Sequence, residues 1–323
     1  MYQGKRVLKK EKRKHSALRV LLILLLVAAA LYGGWRLLVP EPEVAVPAMN
    51  TAEGGEASAP AGYTRKKHFW TFLLAGTDKS GYNTDSLILL SYDVDAQTVS
   101  MASIPRDTCV DANGNGKDRK INAAYANAGM DELLEETTRT FGIPIDYYIK
   151  VNVNGFVALV DAVGGVDFDV PCAMNYDDPY QDLYIHYDAG MQHLSGQQAL
   201  EVCRFRHNND NTGYNDTGRM QTQRGMLTAV AKKLLSLQNI TKLNKFIDIA
   251  AENTDTNLSA SDMAWFAEKA LSFDMENLNT MMMPASWSNP YMYLDPDATL
   301  ELVNTYLNPY TKDLTADMLR ILS

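Results

Sequence analysis

The sequence predicts a single α/β domain built on a mixed sheet covered on both faces, preceded by one N-terminal transmembrane helix. Three observations predict it. Strand-like and helix-like segments alternate from residue 69 onward. Of the 323 residues, 46% are hydrophobic and 21% charged, enough for one large core or two modest ones. A long apolar run lies directly behind a basic N-terminal head.

That head is residues 1–19, where eight Lys/Arg stand against Glu11 for a charge of +7. The apolar run is residues 20–39, interrupted by Gly33, Gly34 and Arg36. As a helix it reaches about 30 Å, enough to cross a bilayer. The cationic flank predicts the N-terminus inside the cell and everything after residue 40 outside, and Arg36 can extend to the headgroups. A cleaved signal peptide is the alternative, since Ala28, Ala29 and Ala30 offer small residues. Residues 40–66 read as a flexible extracellular linker, rich in Ala, Gly, Pro and Glu as far as Tyr63. The folded domain is then 67–323.

Within it, the pattern predicts strands at Phe69–Ala75, Ser86–Tyr92 and Thr98–Ile104, the second and third joined as a hairpin by the polar turn at Asp93–Ala96. A helix over Asp131–Phe141 should end at Gly142 and Pro144, and one from about Asn154 at Gly164–Gly165. Strands Tyr147–Val151 and Val166–Val170 follow these helices. Ser195 and Gln198 have capping-box spacing, Asp216 fits the N-cap of a helix running to Leu237, and Thr280–Met283 reads as a late strand.

Formal net charge is −9, so the chain beyond the +7 head carries −16. Such a body is a poor nucleic-acid surface, which needs clustered cations to displace phosphate counterions. Cys109, Cys172 and Cys203 have no CxxC spacing, and their odd number prevents complete internal pairing. They read as small buried hydrophobes.

If the first three strands run up, down and up, Asp78, Asp85 and Arg106 meet at one sheet edge. Two carboxylates there repel each other unless a divalent cation lies between them, and Mg²⁺ suits hard oxygen ligands. Taken singly, both aspartates also fit ordinary turns. Arg204 and Arg206 alternate, so in an extended segment both guanidiniums share a face and suit phosphate oxygens. Arg219 and Gln223, four apart near the start of a helix, add an anion-binding terminus; a solvated cationic face is the plainer reading. Residues 111–118 open like a calcium loop, but position twelve is Asn122 instead of Glu, which favours a plain Asn-Gly turn. His207, beside the Arg pair, is either a proton relay or a surface histidine.

The motifs Leu74-Ala-Gly-Thr-Asp78, Thr84-Asp85-Ser86, Ser103-Ile-Pro-Arg-Asp-Thr108, Lys120-Ile-Asn-Ala-Ala-Tyr125 and Gly142-Ile-Pro-Ile-Asp-Tyr-Tyr148 resemble the LytR-CpsA-Psr family. So do Val163-Gly-Gly-Val166, Leu194-Ser-Gly-Gln-Gln-Ala199, Arg204-Phe-Arg206 and Asp216-Thr-Gly-Arg219 with Gln223, all in family order. The resemblance implies a three-layer α-β-α sandwich with a hydrophobic tunnel for a polyprenyl tail and a pyrophosphate site at its mouth. It implies transfer of a glycan phosphate from an undecaprenyl-type polyprenyl pyrophosphate to peptidoglycan at the cytoplasmic membrane. Carried over, Asp78 and Asp85 match the Mg²⁺ ligands, Arg106 a catalytic phosphate contact, and Lys120, Arg204, Arg206, Arg219 and Gln223 the pyrophosphate contacts. Asp216 and Asp107 are candidate general bases that also read as a helix cap and a turn residue. One departure stands out: the family commonly has Arg two residues before the second aspartate, and this chain has Asn83. A pyrophosphatase and a noncatalytic lipid-binding envelope regulator remain the rival functions.

Overall fold

The structure, a computed structural model, describes residues 40–42, 60–77, 81–110, 119–180, 183–213, 216–234, 236 and 243–322. The chain divides into two units, Met1–Pro42 and Glu43–Ser323, and the second carries the fold described below. The span expected at 20–39 and the loop 111–118 lie outside the described residues. Among those described, no helix is long and apolar enough to cross a membrane.

The central sheet is built from β1 (Phe69–Thr77), β2 (Thr84–Asp93), β3 (Thr98–Ile104), β4 (Tyr147–Val151), β9 (Thr254–Thr256) and β10 (Leu278–Met282), in the order β10-β3-β2-β1-β4-β9. β1 and β2, and β2 and β3, are antiparallel; β4 and β10 join parallel to β1 and β3. This is the mixed sheet the sequence predicts, with the expected up-down-up start. β1 reads Phe-Trp-Thr-Phe-Leu-Leu-Ala because it lies in the middle of the sheet and is buried on both faces.

Side chains alternate between those faces. On one, Leu73, Ala75, Leu87, Leu89, Ala102 and Ile104 pack against α1 (Ile121–Ala128), α2 (Met130–Phe141) and the C-terminal segment through Val303, Leu307 and Tyr310. Helix α2 ends where expected, at Gly142, whose φ of 69° is the left-handed cap conformation. A Cβ there would also meet the Met318 carbonyl oxygen at 2.7 Å. On the other face, Trp70 and Phe72 meet α7 (Ala260–Ala270), which follows α6 (Leu243–Asn253), with Trp70 and Trp265 ring centroids 5.0 Å apart and Phe72 and Phe266 5.2 Å apart.

A second core lies beside this sheet. It joins α3 (Val153–Ala162), the ribbons β5–β8 (Val166–Val170, Gly190–Leu194) and β6–β7 (Met174–Asp178, Leu183–Tyr187), α4 (Gly196–Arg204) and α5 (Asp216–Leu234) through Val160, Ile185, Val202, Phe205 and Met226. The predicted capping box is present, with Ser195 and Gln198 bonding each other's backbone. Gly196 follows it because α3 approaches closely: a Cβ would lie 2.2 Å from the Val157 carbonyl oxygen. Helix α3 starts at Val153, its first turn capped by Asn152, which accepts the Gly155 N–H at 2.8 Å. Helix α5 begins at Asp216 itself, so the residue read as its N-cap is already helical.

The chain is held before residue 67, inside the stretch read as linker. Arg65 bridges to Tyr310, the Lys66 N–H donates to Pro309 at 2.8 Å, and the Tyr63 hydroxyl donates to the Asp313 carbonyl at 3.0 Å. The late segment closes with the hairpin β11–β12 (Ala285–Ser288, Tyr291–Leu294) and α8 (Pro296–Leu302). All three cysteines are free thiols, with Cys109 and Cys203 buried as the sequence predicts and Cys172 half-buried.

Candidate active site at the sheet edge

Between the sheet and the second core lies a cavity of about 760 Å³. Its floor is one row across three strands, Ile88–Leu74–Ile149, which the registers place side by side. Phe156 and Leu159 of α3, Leu183 of β7, Leu200 of α4 and Leu227 of α5 complete an apolar wall. The next row toward the strand ends is Ser86–Gly76–Val151. A Cβ on Gly76 would crowd the Ser86 side chain at 3.3 Å, so glycine keeps the two strands close here. The β1–β2 register shifts between Gly76 and Thr77, an irregularity of the kind that re-aims a chain beside a functional site.

Beyond that row the lining turns polar: Asp85, Arg204, Arg206, His207, Arg219 and Gln223. Arg106, following β3, donates from Nη1 to Asp85 Oδ1 at 2.7 Å. This ion pair is only partly covered, with side-chain exposures of 25% and 43%. Behind it Lys120 Nζ lies 3.1 Å from Asp107 Oδ1, and Arg106 Nε lies 3.9 Å from Asp107 Oδ2. Asp107 is therefore paired with two cations. Gln223 Nε2 donates to the Cys203 carbonyl at 3.2 Å, fixing the start of α5 against the end of α4.

The structure thus gathers Asp85, Arg106, Arg204, Arg206, Arg219 and Gln223, while Lys120 stands one step back on Asp107. Asp78 and the Asp216 side chain lie outside the described residues. The extended segment expected at Arg204–Arg206 starts only at Phe205, since Arg204 is still helical. Arg204 closes the last turn of α4, Phe205 leaves it fully buried, and Arg206 follows on the cavity side. Helix geometry carries on through Arg204 because a cation suits that terminus. Both guanidiniums reach the cavity nonetheless, pivoting about Phe205. His207 lines it too, edge-on to Tyr176 with centroids 5.2 Å apart.

Sequence reasoning missed Tyr176 and Tyr180, which join the lining from the β6–β7 ribbon, and Asn152 at the α3 cap. Only Asn152, three residues before Gly155, left a local capping signal. Burial pushes the Cys203 thiol in the cavity wall up to about 12.

Donor chemistry permits a hard cation here. Asp85 supplies a half-exposed carboxylate, and the neighbouring Thr84 hydroxyl oxygen is buried with no hydrogen-bond partner among the described residues. Those residues include no cluster of three or more His, Cys, Asp or Glu.

An apolar cavity ending in an arginine-rich rim is the arrangement the sequence resemblance implies. The LytR_cpsA_psr family model matches residues 45–308. The chain belongs to the LytR-CpsA-Psr family. It is 35% identical over 244 residues to the polyisoprenyl-teichoic acid–peptidoglycan teichoic acid transferase TagV of Bacillus subtilis, covering 72% of this chain and 61% of TagV. Against the TagU transferase of Bacillus cereus it is 34% identical over 242 residues, covering 72% and 76%. The crystal structure of B. subtilis TagV superposes with a TM-score of 0.63 at 30% identity, covering 74% of this chain and 96% of that one. This LytR-CpsA-Psr chain thus shares its mixed α/β fold with TagV, while spanning about three fifths of the full-length TagV sequence.

Proposed function

We propose that this protein transfers a glycan phosphate from a polyprenyl pyrophosphate carrier to peptidoglycan. The observation that carries the reading is one continuous site, an apolar cavity of about 760 Å³ with Asp85, Arg204, Arg206 and Arg219 at its mouth. A prenyl tail suits the first part and a pyrophosphate the second. The names of TagV and TagU, teichoic acid transferases acting on peptidoglycan, support it.

The prenyl tail fills the apolar cavity and brings the pyrophosphate to the rim. Arg204, Arg206 and Arg219 bind its oxygens, and Arg106, oriented by Asp85, meets the charge that develops in the transition state. A peptidoglycan hydroxyl attacks the glycan-side phosphorus; the bond from that phosphorus to the bridging oxygen breaks; polyprenyl phosphate leaves with the electron pair. The hydroxyl proton passes to a base, for which Asp216 is the candidate since Asp107 is ion-paired. Mg²⁺ would be held by Asp85 with Asp78 and the Thr84 hydroxyl, and would supply a Lewis acid for the phosphate oxygens. The same proposal places residues 20–39 across the cytoplasmic membrane, with residues 1–19 inside and the catalytic domain outside.

The test is turnover of a polyprenyl pyrophosphate-linked glycan by the purified full chain, with Mg²⁺ or EDTA and with or without peptidoglycan. Mg²⁺-dependent product on peptidoglycan is expected. Release of glycan phosphate at the same rate with or without acceptor would identify a pyrophosphatase. Tight lipid binding without turnover would identify a regulator.

A further inference from the structure

We infer that the β11–β12 hairpin is a carbohydrate-binding arm for the acceptor, with Trp287 the surface on which a sugar of the peptidoglycan glycan strand stacks. This rests on the transferase reading. Its first support is position. Strand β10 runs parallel to β3, so both end at the edge that carries Arg106, and the hairpin leaves from there. It is tied to the residues after Arg106: Met292 N–H donates to the Asp107 carbonyl at 2.8 Å, and Cys109 N–H to the Met292 carbonyl at 2.8 Å. The arm and the catalytic arginine are thus joined by adjacent backbone bonds.

The second support is surface chemistry. Paired residues of an antiparallel ribbon share a face. Trp287 pairs with Met292 and Ala285 with Leu294, so one face has Ala285 and Leu294 rooted in the core and Trp287 at the free end, 58% exposed. The opposite face carries Tyr291 and Tyr293, 6.2 Å apart and edge-to-face, which stiffen the arm. Ser286 and Ser288, paired with Tyr293 and Tyr291, are exposed hydroxyls on that tyrosine face. An exposed indole at the free end of the arm matches a sugar, whose ring offers C–H groups to the π face.

The third support is charge, and it selects the source of the sugar. Exposed Asp295, Asp297 and Glu301 follow the hairpin. They repel a phosphate-rich donor polymer and leave an uncharged glycan backbone unaffected. The donor's lipid end, moreover, belongs in the cavity on the other side of the Asp85–Arg106 pair.

The test is cosedimentation of the full chain with insoluble peptidoglycan stripped of attached polymers, which needs no turnover and so separates failure here from failure of the transferase reading. Wild type should pellet; Trp287→Ala should bind about tenfold more weakly, the scale of losing one central aromatic anchor, and Trp287→Tyr should recover most of the loss. Affinity for a prenyl pyrophosphate should match wild type in both variants. Should Trp287→Ala fail to fold, the wild type still decides: soluble N-acetylglucosamine oligomers should change its tryptophan emission, and Trp287→Tyr should abolish that change. Absence of pelleting by wild type, equal pelleting by Trp287→Ala, or competition by soluble anionic wall polymer as strong as by N-acetylglucosamine oligomers would each overturn the assignment.

Discussion

Two Arg–Asp pairs stand at opposite ends of the central sheet. At the start of β1 and β4, Arg65 bonds Asp146, whose carboxylate is fully buried and also accepts the Thr71 N–H at 2.8 Å and hydroxyl at 2.9 Å. At the far end, Arg106 bonds an Asp85 that is 43% exposed. The lower carboxylate takes all three bonds on Oδ2, its Oδ1 is buried with no hydrogen-bond partner among the described residues, and it does not line the cavity. Burial raises the Asp146 carboxyl above its ordinary value, and Arg65 and Thr71 pull it part of the way back. The upper carboxylate holds one arginine and opens onto a cavity. The same two residue types make a buried clamp in one place and a half-exposed pair beside a cavity in the other, and the difference is how far the fold encloses them.

The largest effect should come from the lower pair. Asp146→Ala leaves Arg65 without its buried counter-ion and should cost about 3–5 kcal/mol of stability, read as a lower midpoint in urea unfolding. A loss under about 1 kcal/mol would break the contrast between the two pairs. Next is Arg106→Ala, expected to lower turnover by roughly 10²–10³-fold, the scale of losing one preorganised charge-stabilising group. Its unfolding midpoint should stay near wild type, because half-exposed pairs contribute only about 0–1 kcal/mol. Combining it with Asp85→Ala should cost far less than the product of the single losses, since the two act as a unit. Fully multiplicative losses in kcat/KM would separate them.

Asn83→Arg adds a cation just before Thr84 and should tighten prenyl pyrophosphate binding by about tenfold, within the range for one charge-assisted hydrogen bond. Unchanged or weaker binding by calorimetry would mean that the upper edge already has all the cations it uses. The smallest effect concerns Cys203. Its raised thiol pKa, from burial in the cavity wall, keeps thiolate scarce at pH 8, so half-buried Cys172 should be alkylated first. Peptide mass spectrometry following iodoacetamide treatment reads the order, and a bound prenyl pyrophosphate should slow Cys203 alone.

Local signals explain which parts of this fold were legible. Tyr147–Val151, Val166–Val170, the Gly142 helix end and the Ser195–Gln198 capping box were readable because each depends on neighbours in sequence. The site's arginines were readable through ordered motifs, and Asp85 with Arg106 through strand direction. The cavity was not. Leu74, Phe156 and Leu227 come together only in three dimensions, and each reads in sequence as ordinary core. The Arg204–Arg206 alternation fits an extended segment, but Arg204 ends a helix and the extended geometry starts only at Phe205. The hairpin arm at Trp287 carries no motif, and its nearness to Arg106 depends on bonds between residues about 185 apart in sequence.

The docking of Tyr63–Lys66 onto Pro309–Asp313 has a mechanical consequence. This stretch is zipped to the C-terminal one through the Lys66 N–H to Pro309 and the Thr311 N–H to Thr64 at 2.9 Å. Traction on the chain ahead of residue 60 therefore meets this short two-stranded seam before it meets the sheet, and behind the seam stands Arg65 on Asp146. A pull peels a few replaceable bonds first and leaves the cavity and its arginine rim unloaded. The seam works as a strain relief at the point where the domain hangs from the rest of the chain.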